Sequence, residues 1–243
     1  MDALEETLGK IRPHVKSSLV NQSAPAKILL AVEDTLKEQG QDITPVAYYA
    51  SLLTTLQEAL KREHPSVNLD EGAVVPASLY LLSLVLPHSP VPVIRSKLGA
   101  LLEVVAPLFP IFSGSAPPLR SQLSLFGTLL SVLDHPSLTS TLLLRKSFAS
   151  ILEFTIDPRP KVRKKAQDVV VETLSSPPPP LAVHPYSDQA AEYIVSVLGT
   201  VAGSPGKSQS TEVGIWVCSF VKNLAPAWPS AVRLQAFSLC RSS

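Results

Sequence analysis

The chain has 243 residues, and its 21 basic and 20 acidic side chains leave a formal net charge of +1. No global field therefore draws it to nucleic acid, and only a local patch can do so. Hydrophobic residues make up 45% and charged residues 17%, which excludes a disordered chain and requires a large buried apolar surface.

Taken from the N-terminus, leucine-rich segments with helical spacing recur along the chain, separated by Pro, Gly, Ser and Asn. The pattern predicts helices at about 2–20, 25–38, 45–63, 75–86, 91–109, 117–133, 138–156, 160–174, 186–202, 210–223 and 229–240. Leu119, Leu123, Phe126, Leu130 and Leu133 keep the spacing of one helix face, as do Leu144, Phe148, Ile151 and Leu152. No run of alternating β-branched residues stands out, so the expected class is all-α. Ten glycines against 23 prolines argue against glycine-rich phosphate loops and for many helices started or stopped by proline. Ser175 to Pro180 reads S-S-P-P-P-P, an extended polyproline spacer. Gly203 to Thr211 reads G-S-P-G-K-S-Q-S-T, a flexible connection. The expected inter-helix loops are thus 175–185 and 203–211.

The segments resemble one another. Pro92-Val93-Ile94-Arg95 with Leu98, Pro118-Leu119-Arg120 with Leu123, Pro160-Lys161-Val162-Arg163 with Ala166, and Pro229 with Val232-Arg233 and Ala236 share a proline, an aliphatic–arginine pair and a later apolar residue. Arg120 and Arg163 stand 43 residues apart, within the ~40–47 of a HEAT or armadillo unit. The expected fold is an all-α, right-handed superhelical solenoid of HEAT/armadillo-like helical repeats, forming one domain over residues 1–243. The last predicted helix lacks a polar capping repeat, which suggests part of a longer solenoid.

Few constellations carry chemistry. Gly203-Ser204-Pro205-Gly206-Lys207-Ser208 ends like a phosphate-binding loop, but Val201 stands where that motif needs its first glycine. None of His14, His64, His88, His135 and His184 lies within four residues of another His or of a Cys, so no metal-ligand spacing exists. His64, His135 and His184 each precede a proline, a position that marks a helix end. With no hydrolase, metalloprotease or paired-carboxylate motif, no catalytic, cofactor or metal residue is assigned and no enzyme activity is expected. Cys218 and Cys240 fit free thiols in a reducing compartment. The longest apolar stretches, 77–86 and 98–106, fall short of the about 20 residues that cross a bilayer, so no membrane partner is expected. Trp216 and Trp228 fit core anchors, with interface hot spots as the other reading that so apolar a chain leaves open.

The densest chemistry lies at Asp157 to Val170, D-P-R-P-K-V-R-K-K-A-Q-D-V-V. Asp157 is placed to cap a helix whose first turn tolerates Pro158 and Pro160. Val162, Ala166, Val169, Val170 and Leu174 line one face. Arg163 falls within that buried stripe at ~100° per residue, and should pair with an acid such as Asp157. Asp157, Val162, Arg163 and Ala166 form the repeat signature. Arg159, Lys161, Lys164 and Lys165 are the candidate RNA- or phosphate-binding residues, because a basic patch at a helix start attracts anions. The competing reading is a solvated face on which Lys164 and Lys165 pair with Asp168. No aromatic residues are interleaved, so base stacking is not expected.

The stretch D-P-R-P-K-V-R-K-K-A-Q-D at 157–168 resembles the ribosomal RNA-processing protein twelve family. So do A-S-L-Y-L-L-S-L-V-L-P-H-S-P at 77–90, V-I-R-S-K-L-G-A-L-L-E-V-V-A-P-L at 93–108 and A-P-P-L-R-S at 116–121. The resemblance covers roughly residues 40 to 240, as an N-terminal portion. It implies a non-enzymatic HEAT-repeat scaffold of the nucleus and nucleolus without cofactors. Implied roles are ribosomal RNA processing and pre-ribosomal subunit assembly and nuclear export. Implied partners are pre-ribosomal proteins, ribosomal RNA, nuclear transport receptors and the small GTPase Ran. The alternative is a transport-receptor-like protein-interaction adapter with no RNA role.

Overall fold

A computed structural model describes residues 2–62, 74–203 and 208–228, all helix and connection with no strand among them. The chain divides into two compact units, residues 1–128 and 129–243.

In the first unit, α1 (Asp2–Gly9) buries Leu4 and Leu8 and ends at once. A 3₁₀ turn over Arg12–Lys16 follows, with Pro13 at its start. The single helix expected at 2–20 is therefore broken, since Pro13 has no N–H with which to continue a ladder. Conversely α2 (Val20–Glu38) starts earlier than expected and runs through the buried Pro25. Proline fits a helical φ there, at the loss of one hydrogen bond. Gly40, at φ +64°, closes α2. Its N–H donates to Lys37 O and that of Gln41 to Leu36 O, the paired reverse bonds of a left-handed C-terminal cap.

Helix α3 (Pro45–Arg62) opens on a proline, with Thr44 Oγ1 accepting the Ala47 N–H at 3.2 Å. Its buried Tyr49, Leu52 and Leu56 keep helical spacing. Helix α4 (Val74–Val85) packs against α2 and α3 and buries residues around nearly its whole girth, the pattern of a central helix. A 3₁₀ turn over Leu86–His88 leads on to α5 (Val91–Ser96), α6 (Leu98–Val105) and α7 (Leu108–Phe112). These three replace the single helix expected at 91–109. The first break is Lys97, at φ −108° and ψ 5°; the second precedes Pro107, which cannot donate. Gln122 of α8 (Ala116–Val132) repairs part of this, its Nε2 donating to Val105 O at 2.7 Å inside the core.

The second unit holds α9 (His135–Ser140), α10 (Leu142–Phe154), α11 (Pro160–Ser175), α12 (Ser187–Ala202) and α13 (Ser208–Leu224). One helix was expected at 138–156, but Thr141 stands extended at φ −96° and ψ 96°. Thr139 and Ser140 hydroxyls donate to carbonyls of His135 and Pro136; this side-chain bonding competes with helix continuation. The histidine–proline pairs are corrected as well. His135 opens α9 behind the N-cap Asp134, and His184 precedes α12, so both mark helix starts. Proline suits a first turn because its missing N–H has no partner there anyway. His64 lies outside the described residues.

Helices α10, α11, α12 and α13 pack on one another around Phe148, Ile151, Val169, Val170, Ile194, Leu198 and Phe220. The polyproline segment does not stay extended, since Pro178 is buried and its carbonyl accepts the Leu181 N–H at 3.0 Å. Tyr186 anchors the following turn, donating to Leu138 O at 2.7 Å and lying 4.9 Å from the Phe148 ring. Helix α13 begins at Ser208, inside the segment read as a loop at 203–211. The predicted helix at 229–240 and the fourth repeat segment lie outside the described residues. The fold class is all-α, of the helical-repeat solenoid type.

Candidate functional site

Helix α11 is built from its buried stripe outward. Val162, Ala166, Val169, Val170 and Leu174 are each no more than 1% exposed, as the spacing required. The same arrangement recurs in the two earlier repeat segments, where Ile94 and Leu98, then Leu119 and Leu123, are buried behind a proline. In those segments Arg95 and Arg120 are exposed. Arg163 is half-buried.

Asp157 acts one step earlier than a helix cap. Its Oδ1 accepts the Arg159 N–H and Nε at 2.8 Å each, and its Oδ2 accepts Arg159 Nη2 at 2.7 Å. The N-cap is Arg159, without a side-chain cap bond. The sequence misses this because Pro158 and Pro160 set the helix start beyond reach of Asp157. Burial pushes the Asp157 carboxyl up, but the Arg159 hydrogen bonds and the Arg159 and Arg163 charges outweigh it and hold it below the ordinary value. The Asp157 hydrogen bond in turn raises the Arg159 pKa. The charge of Arg159 is thus neutralised within the turn.

Arg163 does meet Asp157, though through the backbone. Its Nη1 donates to Asp157 O at 2.7 Å and to Pro158 O at 3.4 Å. Its guanidinium lies over Trp216 of α13, 3.9 Å from the ring centroid. Cation–π stacking of this kind contributes about 0.5–2 kcal/mol, more as water is excluded. Trp216 is therefore the cover of an arginine, whereas Trp228 is a buried core side chain. No sequence signal joins positions 163 and 216; the hint was an arginine on a buried stripe, which needs a flat partner.

The lysines remain outside. Lys161 and Lys164 are exposed and Lys165 is half-exposed. Among the described residues none of the three makes an ion pair, so the expected alternative pairing with Asp168 is absent. The first turn of α11 has no acid and its last turn no base, while Asp168 and Glu172 are exposed further along. Lysines near a helix N-terminus oppose its dipole, at about 0.3–1 kcal/mol each. Peptide dipole and lysines together make one concentrated positive end. No group of three or more metal-ligating side chains, and no helix long and apolar enough to cross a membrane, occurs among the described residues.

A second charged cluster, not anticipated from sequence, lies in the first unit. Buried Glu33 accepts from Arg12 Nη2 at 2.8 Å and from Tyr48 Oη at 2.7 Å, and Arg12 Nη1 reaches Glu5 Oε1 at 2.6 Å. It joins α1, α2 and α3 and is internally satisfied.

Comparison with known proteins gives one family. The model of RRP12-like, N-terminal HEAT repeats matches residues 16–219. Ribosomal RNA-processing protein 12 of Saccharomyces cerevisiae is 32% identical over 228 residues, covering 87% of this chain and 18% of the relative. RRP12-like proteins of Gallus gallus and Homo sapiens are 28% and 26% identical, each over 95% of this chain and 17% of the relative. The chain spans less than a fifth of the length of these curated relatives. With the family match extending over 16–219 and including the whole basic helix start, this chain belongs to the RRP12-like family and carries its N-terminal HEAT repeats.

Proposed function

We propose that the chain is a non-enzymatic HEAT-repeat scaffold in ribosome biogenesis, serving ribosomal RNA processing and pre-ribosomal subunit assembly and export. The names of its relatives support the process. Support for RNA contact comes from one observation: Lys161 and Lys164 stand exposed on α11, with Lys165 half-exposed on the flank, all without ion pairs among the described residues, at its electropositive end. Such a patch attracts phosphates without reading bases. Partners are pre-ribosomal proteins and ribosomal RNA, with transport receptors and Ran at the export step, in the nucleus and nucleolus.

The test is RNA binding by the purified chain over a salt series, beside a Lys161→Glu/Lys164→Glu/Lys165→Glu variant. Log affinity should fall steeply with log salt, and the variant should flatten that slope. A protein-only adapter is the second reading, favoured by the exposed Leu142 and Leu143 at the start of α10. Absence of RNA binding at low salt, with the variant and parent equally helical, would move the assignment there.

A further inference from the structure

We infer that Trp216, acting through Arg163, is a positioning residue for the lysine patch: its ring holds the turn that presents Lys161, Lys164 and Lys165 together to the phosphates of one RNA segment. The inference rests on the RNA reading of those lysines.

Helix α11 has no side-chain cap to steady its start. The Asp157–Arg159 fork is local, closing the entry turn upon itself. Arg163 does more. From the first turns of α11 it reaches back to the carbonyls of Asp157 and Pro158, and its flat face rests on a ring that belongs to α13. The turn is thus braced against a separate helix by an aromatic plane. A further tie comes one turn on, where Gln167 Nε2 donates to Thr155 O at 2.8 Å. Arg163 is half-buried with its guanidinium engaged, which separates it from the exposed lysines. Lysine side chains are long and mobile, so joint contact with one strand depends on the backbone beneath them being held. Without the ring the guanidinium is free to turn to solvent. Two carbonyls then lose their donor and the lysine turn loosens.

The experiment titrates the full chain with labelled oligouridine at several salt concentrations, using Trp216→Leu, Trp216→Phe, Arg163→Lys and the triple lysine variant. Trp216→Leu removes no charge, yet should lower affinity about tenfold and move the salt slope toward that of the triple variant. Trp216→Phe keeps an aromatic face and should restore most of both. Arg163→Lys keeps the charge but loses the planar stack, and should behave like Trp216→Leu. A merely structural role would reduce the active fraction and leave the slope unchanged; that result overturns the inference. So does parent-like binding by both Trp216→Leu and Arg163→Lys. If the triple variant flattens the slope while these two stay silent, the positioning role alone fails. If the triple variant binds like the parent, the RNA reading fails and the inference with it.

Discussion

Replacing Arg12 by Met should destabilise the first unit by more than any exposed ion pair could. The Glu33 side chain is 6% exposed and that of Arg12 28%. Arg12 donates to Glu33 through Nε at 3.0 Å and Nη2 at 2.8 Å, and Tyr48 donates its hydroxyl to the same carboxylate at 2.7 Å. Hydrogen bonds to Glu5 and Glu33 raise the Arg12 pKa, while burial and the bond to Glu33 raise that of Tyr48. Removing one member of a buried pair costs about 3–5 kcal/mol, because the other charge stays desolvated. Arg12 is partly wetted and Tyr48 still serves Glu33, so the expected loss is about 2–3 kcal/mol. The outer partner Glu5 is 58% exposed, and Glu5→Ala should cost about 0–1 kcal/mol. Arg12→Met/Glu33→Met/Tyr48→Phe, which removes the whole network for apolar groups, should recover most of the loss. Urea unfolding followed by circular dichroism measures all three, with amide exchange in α2 and α3 reading the first unit by itself. An Arg12→Met loss below about 0.5 kcal/mol, or one equal to that of Glu5→Ala, would refute the claim that burial of Glu33 sets the magnitude.

His184 makes the second unit sensitive to acid. Burial pushes its imidazole from 6.5 down to about 4, and its Nδ1 accepts the Tyr186 N–H at 3.2 Å. The neutral ring is favoured in the fold, so its contribution is complete above pH 6.5 and is lost as pH falls toward 4. At about 1.4 kcal/mol per pH unit the loss is about 3 kcal/mol, and His184→Asn should flatten stability between those pH values. Gly40→Ala should cost about 1 kcal/mol, read from the urea midpoint, because φ +64° strains any Cβ although nothing crowds it. Arg159→Lys, which keeps the charge but not the fork on Asp157, should cost about 1–2 kcal/mol. It should leave the salt slope for RNA unchanged, since the Arg159 charge is already paired.

Periodicity carries across breaks, and that explains both what was legible and what was not. The buried stripe of α11 could be read from spacing because Val162, Ala166, Val169, Val170 and Leu174 all serve one face. The same spacing ran straight through Lys97 and Thr141, where the backbone leaves the helix for local reasons while the apolar pattern continues beyond. Glu33 was invisible because an acid in a polar–apolar helical pattern reads as solvated. Only the distant Arg12 and Tyr48 make its burial tolerable. The half-buried place of Trp216 over Arg163 is hidden from spacing for the same reason: its partner lies on another helix. In the basic segment the lysine positions were legible from the helical wheel, while the separate role of Arg159 depended on which of two prolines begins the helix.

The five basic residues between Arg159 and Lys165 divide by side-chain type. Both arginines turn inward and use a planar fork or a flat face, on Asp157 and on Trp216. Lys161 and Lys164 are exposed and Lys165 is half-exposed, and among the described residues all three leave their compact charges without an ion pair. That division follows from chemistry, since a guanidinium sheds water more readily than an ammonium and can satisfy several acceptors in one plane. Lysines gathered at a helix N-terminus weaken the helix, and no acid in the first turn relieves them. Stability alone would favour the reverse order, with Asp168 and Glu172 early and the lysines late. A helix start tied from within by its arginines and charged against its own dipole from without is therefore the feature on which the proposed phosphate contact stands or falls.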